Sequence, residues 1–492
     1  MRANVRNAVR RGLYLDSVAL MRLSREIAAL SGVEDAALMM ATPANRAILA
    51  EAGLLDSDGQ SAGANDLILA VRAQGAEAAD AALAAASLLL ERQPSTGNAA
   101  VPHSPRSLRS ALGAQPGANL ALISVPGDYA AAEARKALGC GLDVMIFSDN
   151  VPLAEEVALK REGKALGRLV LGPDCGTAII GGTPLAFANR VPRGDIGLIG
   201  ASGTGLQEVS CLIAAAGRGI SHAIGVGSRD LGREVGALST LAAIDLLDAD
   251  PATARIVLIS KPPHPEVVAT VLARVGQSRK RFTMCFLGAV AMHLPRNASA
   301  AATLSAAAED VLGAAIAPVT SPMPAARDGL ILGLYAGGSL AAEAQLVLIA
   351  AGRPVASNAA VPGASALEAA APRVDRIIDL GADEFTRGRP HPMIDPAVRS
   401  TKLRGALLDR GVAVILLDIV LGLGAHPDPA REVAAVLAGA PPDRPHLVAS
   451  VTGTEADPQV RSRQIATLNA AGVLLAPSNA RAAALAVDLA RG

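Results

Sequence analysis

The segment Asp195–Asp230, DIGLIGASGTGLQEVSCLIAAAGRGISHAIGVGSRD, constrains the fold of this chain more than any other. An apolar run, Ile196–Ile199, passes straight into a turn of small and hydroxyl residues, Gly200–Gly205. A helix-patterned stretch, Leu206–Ala216, follows. A second apolar run, Ile220–Val226, then ends in a second glycine turn, Gly225–Asp230. The spacing predicts a strand, a tight turn, a helix and a second strand. Small residues in the turn let backbone N–H groups converge, and the start of the helix adds its positive end, so phosphate or carboxylate is the expected guest. Gly200, Ser202, Gly203, Thr204 and Gly205 are the candidate phosphate contacts. The plainer alternative is a strand–helix turn with no ligand. No lysine follows the turn, so it is not a Walker loop.

At 492 residues the chain is too long for one core, and several domains are expected. Residues 1–95 read as a small α/β unit of ferredoxin-like type. Residues 96–117 form a linker rich in Pro, Ser and Gly, made basic by Arg106 and Arg109. Residues 118–192 read as a Rossmann-like unit whose strand tips carry Ser124 and Pro126, Ser148, and then Gly172 and Cys175. Ligands bind at that edge of open parallel sheets. The unit has no GxGxxG, which disfavours a nicotinamide dinucleotide. Residues 193–325 and 329–492 share one plan of parallel strands, glycine turns at their carboxyl ends and covering helices, and both read as flavodoxin-like. In the last unit Gly337, Gly338 and Ser339 open a helix, and Thr452, Gly453 and Thr454 follow a strand; both turns are candidate anion contacts.

Composition narrows the function. Lysine plus arginine equals aspartate plus glutamate at 45 each, and the chain has no tryptophan, three tyrosines and five phenylalanines. A neutral chain with so few aromatic rings is not expected to bind nucleic acid. The four cysteines are widely spaced and the histidines form no ligand pattern, so no metal set is expected. The one candidate would be Asp418, with Asp379 and Asp383, holding magnesium through a phosphate. No charge-free apolar window reaches a membrane span, and the basic N-terminus lacks a signal-peptide core, so the expectation is a cytoplasmic protein without a membrane partner.

In this apolar chain the most polar segment is Gly381–Asp395, GADEFTRGRPHPMID. Arg387 and Arg389 carry forks that suit carboxylate or phosphate, and His391 stands between two prolines that restrict its backbone. These three are the candidate catalytic residues, with Asp383 and Glu384 beside them as candidate substrate contacts. A salt-bridged surface loop is the alternative. The expected site joins this loop to Gly200–Gly205.

LGPDCGTAII, GLIGASGTGLQEVSCLI and HAIGVGSRDL resemble the alpha subunit of succinyl-CoA synthetase and its relatives. IIDLGADEF, ILLDIVLGLG and HLVASVTGTEADP are similar to the ligase domain of the beta subunit. Over nearly the whole chain, DSVALMR, MMATPAN, SGTGLQEV, SHAIGVGSRDL and GRPHPMIDP resemble the FdrA family. The resemblance implies a CoA-binding-type Rossmann domain at 118–192, with Ser124, Pro126, Ser148, Gly172 and Cys175 at its cofactor edge, and two ligase domains at 193–325 and 329–492. It also implies other protein subunits as partners and a small anionic substrate. The phosphorylated-histidine loop GHAGA of the synthetases is replaced here by FLGAVAMHLPRNASA, and their nucleotide-grasp domain has no counterpart. The FdrA resemblance implies a subunit of oxamate carbamoyltransferase, which converts oxalurate and phosphate to oxamate and carbamoyl phosphate in allantoin catabolism. That reaction needs no cofactor. An acyl-CoA synthetase, which would bring in CoA, is the alternative, and a noncatalytic metabolite-binding scaffold is a third.

Overall fold

The computed structural model describes residues 4–15, 17–92, 105, 107–319, 323–369, 373–386 and 390–491. The chain forms two compact units. The first holds Met1–Val144, Ser148–Val151 and Asp383–Asp395; the second holds Met145–Phe147, Pro152–Ala382 and Pro396–Gly492.

The first unit begins with β1 (Asn4–Arg10), α1 (Ser17–Ala28), β2 (Val33–Met40), α2 (Pro43–Glu51), α3 (Ser57–Ser61), β3 (Leu67–Ala73) and α4 (Ala76–Arg92). β3 lies between β1 and β2 and runs antiparallel to both. Leu38, Leu69 and Val71 face α1 and α4, where they pack with Leu20, Leu23 and Ile27. The alternate residues Ile68 and Ala70 face Leu49 and Leu54. The two-residue repeat of the strands thus supplies two cores, and the α2–α3 segment covers the sheet face that a plain ferredoxin-like sandwich leaves bare. Asn45 and Arg46, in the first turn of α2, donate to the carbonyls of Met40, Gln60 and Ala62. Next come α5 (Leu108–Ala114), β4 (Leu120–Ile123), α6 (Gly127–Gly139) and β5 (Asp143–Ile146). The stretch 118–192, read as one Rossmann-like domain, therefore contributes to both units.

The second unit continues through α7 (Leu153–Ala165), β6 (Val170–Leu171), β7 (Thr177–Ile180) and β8 (Thr183–Ala186) into a first lobe. That lobe holds β9 (Arg193–Gly200), α8 (Gly203–Ala215), β10 (Ile220–Gly225), α9 (Leu238–Ala249), β11 (Arg255–Ser260), α10 (Pro265–Gln277), β12 (Arg281–Phe286), β13 (Ala298–Ala300) and α11 (Leu304–Leu312). The second lobe holds β14 (Arg327–Asp328), β15 (Leu330–Tyr335), α12 (Gly338–Ala350), β16 (Val355–Ser357), β17 (Ser365–Ala366) and β18 (Asp375–Asp379). After α13 (Asp383–Thr386), which counts with the first unit, it continues with α14 (Ala397–Ala406), β19 (Val412–Val420), α15 (Pro429–Ala438), β20 (His446–Thr452), α16 (Arg461–Ala470), β21 (Leu474–Ala476), α17 (Asn479–Leu489) and β22 (Ala490–Arg491).

The first lobe's sheet has the order β13-β12-β11-β9-β10-β7-β8, parallel from β13 to β10. Counted from β9, its parallel strands run 2-1-3-4-5, the flavodoxin-like order. The β7–β8 hairpin, expected in the Rossmann-like stretch, adds antiparallel to β10 and extends this sheet. The second lobe's sheet has the order β17-β16-β18-β15-β19-β20-β21. Counted as β15, β18, β19, β20 and β21, it repeats 2-1-3-4-5, with β16 and β17 added at the edge. Every residue of β19, VAVILLDIV, is buried, as a central strand covered by helices on both faces requires. Each first strand, β9 and β15, sits where the strand order reverses. The helix that follows each, α8 or α12, therefore starts at the edge where ligands enter such sheets.

Candidate functional site

The two lobes bring those helix starts together. Ser202 caps α8 by accepting the Gly205 N–H at 3.0 Å, and its hydroxyl bonds the Ser339 hydroxyl in the first turn of α12. At Gly337 the fit is tight: a Cβ there would stand 3.0 Å from the Thr204 methyl. Of the predicted anion turns, Gly200–Gly205 and Gly337–Ser339 are thus neighbours, and Ser202, Gly203, Thr204 and Gly338 stay partly accessible.

Carboxylates brace one start and not the other. Asp418, fully buried on β19, accepts the Ala336 N–H at 2.8 Å and the Gly337 N–H at 2.7 Å, which fixes the turn into α12. Arg399 reaches it from α14, its Nη1 donating to the Asp418 carbonyl at 2.7 Å and lying 3.6 Å from the carboxylate. Burial raises the Asp418 pKa and lowers that of Arg399; their mutual attraction opposes both shifts. Asp379, at the tip of β18, lies close enough to Gly338 that a Cβ there would meet its Oδ2 at 2.8 Å. The third aspartate of the expected magnesium set, Asp383, is on α13 in the first unit. Among the described residues no group of three or more His, Cys, Asp or Glu is placed to hold a metal.

One and a half turns below the helix starts, sequence reasoning missed a buried pair. Glu208 of α8 accepts the backbone N–H of Asn479, the first residue of α17, at 3.0 Å. The Thr452 hydroxyl donates to its other oxygen. Glu343 of α12 accepts the Ser305 N–H in the first turn of α11 at 3.2 Å and the Asn479 side-chain N–H at 2.8 Å. α8 and α12 therefore each offer a carboxylate to a helix start of the other lobe, and Asn479 touches both. Burial, then Glu208, raises the Glu343 pKa to about 7, and burial raises that of Glu208 as well. The signal was in the sequence: each glutamate is the sole charged residue of a thirteen-residue helix.

The remaining candidates make contacts of their own. Thr452 serves Glu208, Gly453 packs on Leu421, and Thr454 donates its hydroxyl to the Arg190 carbonyl, so this turn joins the lobes. The second glycine turn ends in an ionic core. Asp230 is fully buried, 2.8 Å from Lys160, and accepts the N–H groups of Ser239 and Thr240 at the start of α9. Lys160 lies 2.9 Å from Glu156, which also meets Arg229 at 2.8 Å. In the first unit Asp383 and Glu384 are exposed on α13. The His391 Nδ1 accepts the Met393 N–H at 3.2 Å, and burial lowers its pKa to about 4. The ring is neutral near pH 7, with its proton on Nε2, a donor suited to a carbonyl oxygen. Arg387 and Arg389 lie outside the described residues.

The residues expected at a CoA edge are engaged within the protein. The Ser148 hydroxyl donates to the Val125 carbonyl at 2.5 Å, and the Ser124 carbonyl accepts from Tyr14 at 3.1 Å. Pro126 precedes α6. A Cβ on Gly172 would stand 2.3 Å from the Ile146 carbonyl oxygen, and the buried Cys175 thiol donates to the Gly225 carbonyl at 3.2 Å. The side chains of Ser148 and Cys175 therefore serve contacts within the protein. No helix of the described residues is long and apolar enough to cross a membrane.

Comparison with known proteins places family models on three parts of the chain. A model described as AllF, heavy metal-associated domain, matches residues 1–105. A CoA binding domain matches 193–286, on the segment read as the first ligase domain, and a CoA-ligase model matches 334–489. The uncharacterised protein YahF of Escherichia coli (strain K12) is 37% identical over 508 residues, covering 98% of this chain and 98% of YahF. SauD, a subunit of an ADP-forming sulfoacetate-CoA ligase from Bilophila wadsworthia, is 27% identical over 151 residues, which are 29% of this chain and 50% of SauD. The mitochondrial subunit alpha-2 of an ADP-forming succinate–CoA ligase from Trichomonas vaginalis is 31% identical over 149 residues, 29% of this chain and 47% of that one. The matched region thus spans about half the length of each ligase subunit. A heavy-metal site does not fit the first domain: residues 1–105 contain no cysteine.

Proposed function

We propose, on the premise that the chain belongs to the family of Escherichia coli YahF, that it is the phosphate-handling subunit of a carbamoyltransferase built on a CoA-ligase-type scaffold. The observation that carries this reading is the meeting of the α8 and α12 starts through Ser202 and Ser339. Phosphate would lie on the N–H groups of Gly203 and Thr204, in the positive end of α8, with the hydroxyls of Thr204 and Ser339 beside it. In the reaction a phosphate oxygen attacks the ureido carbonyl carbon of oxalurate. The carbon–nitrogen bond breaks, the nitrogen takes a proton, and oxamate and carbamoyl phosphate result. Such a transfer depends on placement of the phosphate oxygen and on donors for the oxygen of the attacked carbonyl. In the first unit, the neutral Nε2–H of His391 suits a carbonyl oxygen, and the forks of Arg387 and Arg389 suit a carboxylate. Other protein subunits are proposed as partners, supported by the likeness to subunits of CoA ligases.

A second reading, an ADP-forming acyl-CoA ligase acting with a partner, is favoured by the CoA-binding and CoA-ligase matches over 193–286 and 334–489. One assay separates the two. Purified protein, alone and with the products of neighbouring genes, is tested for phosphate-dependent cleavage of oxalurate and for CoA-dependent release of ADP. Carbamoyl phosphate formation supports the first reading. CoA thioester formation replaces it with the second, and inactivity in every combination leaves a metabolite-binding scaffold.

A further inference from the structure

The carboxylates of Glu208 and Glu343 are wholly buried at the lobe junction and are joined through one residue, Asn479. Each sits on one of the two helices whose starts form the candidate phosphate site, at the same place, five residues beyond the first helical residue. They share few compensating charges. Arg461 of α16 acts on Glu208 from a distance, while Asp418 of β19 adds like charge to it. Facing Glu343 are Glu208 from α8, Ser305 and Leu304 of α11, Asn479 of α17, Cys285 of β12 and Tyr335 of β15. None of these faces it as a cation. Two ionised carboxylates in such a layer repel and are poorly solvated, so one of them holds a proton at lower pH. The Tyr335 hydroxyl and the Asn479 Oδ1 are buried there without hydrogen-bond partners, and a protonated carboxyl adds a donor that this layer otherwise lacks.

We propose that Glu208 and Glu343 form a proton-responsive brace that sets the distance between the α8 and α12 starts, acting as positioning residues for the anion held there. With one proton shared, the lobes close on Asn479 and the two turns meet. With both carboxylates ionised, repulsion between α8 and α12 spreads the turns and weakens the grip on phosphate. The inference rests on the phosphate reading of the turns, and its test keeps the two apart.

Binding of inorganic phosphate to the full-length protein is measured calorimetrically at pH 6 and pH 8 for the wild type, Glu343→Gln and Glu208→Gln. Phosphate's own ionisation cancels in the ratio of wild type to variant. The expected ratio of Kd values is near one at pH 6 and roughly fivefold weaker for the wild type at pH 8. A role confined to stability would leave that ratio flat, and a flat ratio for both variants overturns the brace. Absence of phosphate binding in every protein at both pH values overturns the phosphate reading instead. Thermal unfolding of the same proteins then tests the proton linkage the brace requires. A wild-type Tm that falls no more between pH 6 and pH 8 than that of Glu343→Gln overturns the brace. Should Glu343→Gln fail to fold, Glu208→Gln answers the same question.

Discussion

The starts of α8 and α12 occupy equivalent places in two sheets of equivalent strand order, yet they are finished differently. The α8 start is capped by a hydroxyl, Ser202, and no acidic residue lies in its first turn. The α12 start has no side-chain cap; Asp418 ties down the turn before it and Asp379 lies against Gly338. Negative charge already answers the positive end of α12, whereas that of α8 is free to meet a ligand. Repeating a fold thus yields one open helix start and one fixed wall, the wall contributing Ser339 and a close spacing at Gly337.

The sharpest way to break that contrast is to remove the brace. Asp418→Ala should leave Arg399 buried without its counter-charge and two backbone N–H groups unsatisfied, at a cost of about 3–5 kcal/mol in chemical denaturation. A loss under about 1 kcal/mol would mean that the α12 turn does not depend on it. Next in size is pH. The folded Glu343 pKa of about 7 is above its ordinary value of 4.5, so its favourable contribution is complete below 4.5 and is lost as pH rises through 7. At pH 8 Glu343→Gln should exceed the wild type in stability by up to about 3 kcal/mol, with the gap closing at pH 5. Gly337→Val places a branched side chain where even a Cβ stands 3.0 Å from Thr204. About 1–3 kcal/mol of stability and the phosphate binding should go together, since the two starts are forced apart. Asp379→Asn acts in the opposite direction: with less negative charge beside α12, phosphate should bind roughly threefold to tenfold tighter at low salt, an advantage that fades at high salt. The smallest effect is expected from Ser202→Ala, about 1 kcal/mol of stability from the lost cap, read by thermal unfolding.

Much of the fold was legible because its signals are local. Ile196–Gly205 announces a strand and a tight helix start within ten residues, and the same grammar recurs at Leu330–Ser339. The meeting of the two turns was not legible. Within the second unit the residues that meet Gly200–Gly205 are Gly337–Ser339. Side chains that set such a meeting are recognisable only by contrast. Glu208 stands in GTGLQEVSCLIAA and Glu343 in GSLAAEAQLVLIA, single charges in helices that are otherwise free of them. A helix with its apolar residues on all sides is buried all round, so its one charge must be buried too and must find a partner. The residues read as a CoA edge carry a different lesson. Small and hydroxyl residues at strand tips serve close packing as readily as ligands, and Ser148 and Gly172 are used for packing here.

Both halves of the Ser202–Ser339 meeting, and both carboxylates behind it, lie on one covalent chain. Their encounter is unimolecular, at an effective concentration set by the segment between the lobes rather than by how much protein is present. Dilution therefore cannot take the candidate site apart. Any dependence of activity on protein concentration would report the recruitment of other subunits.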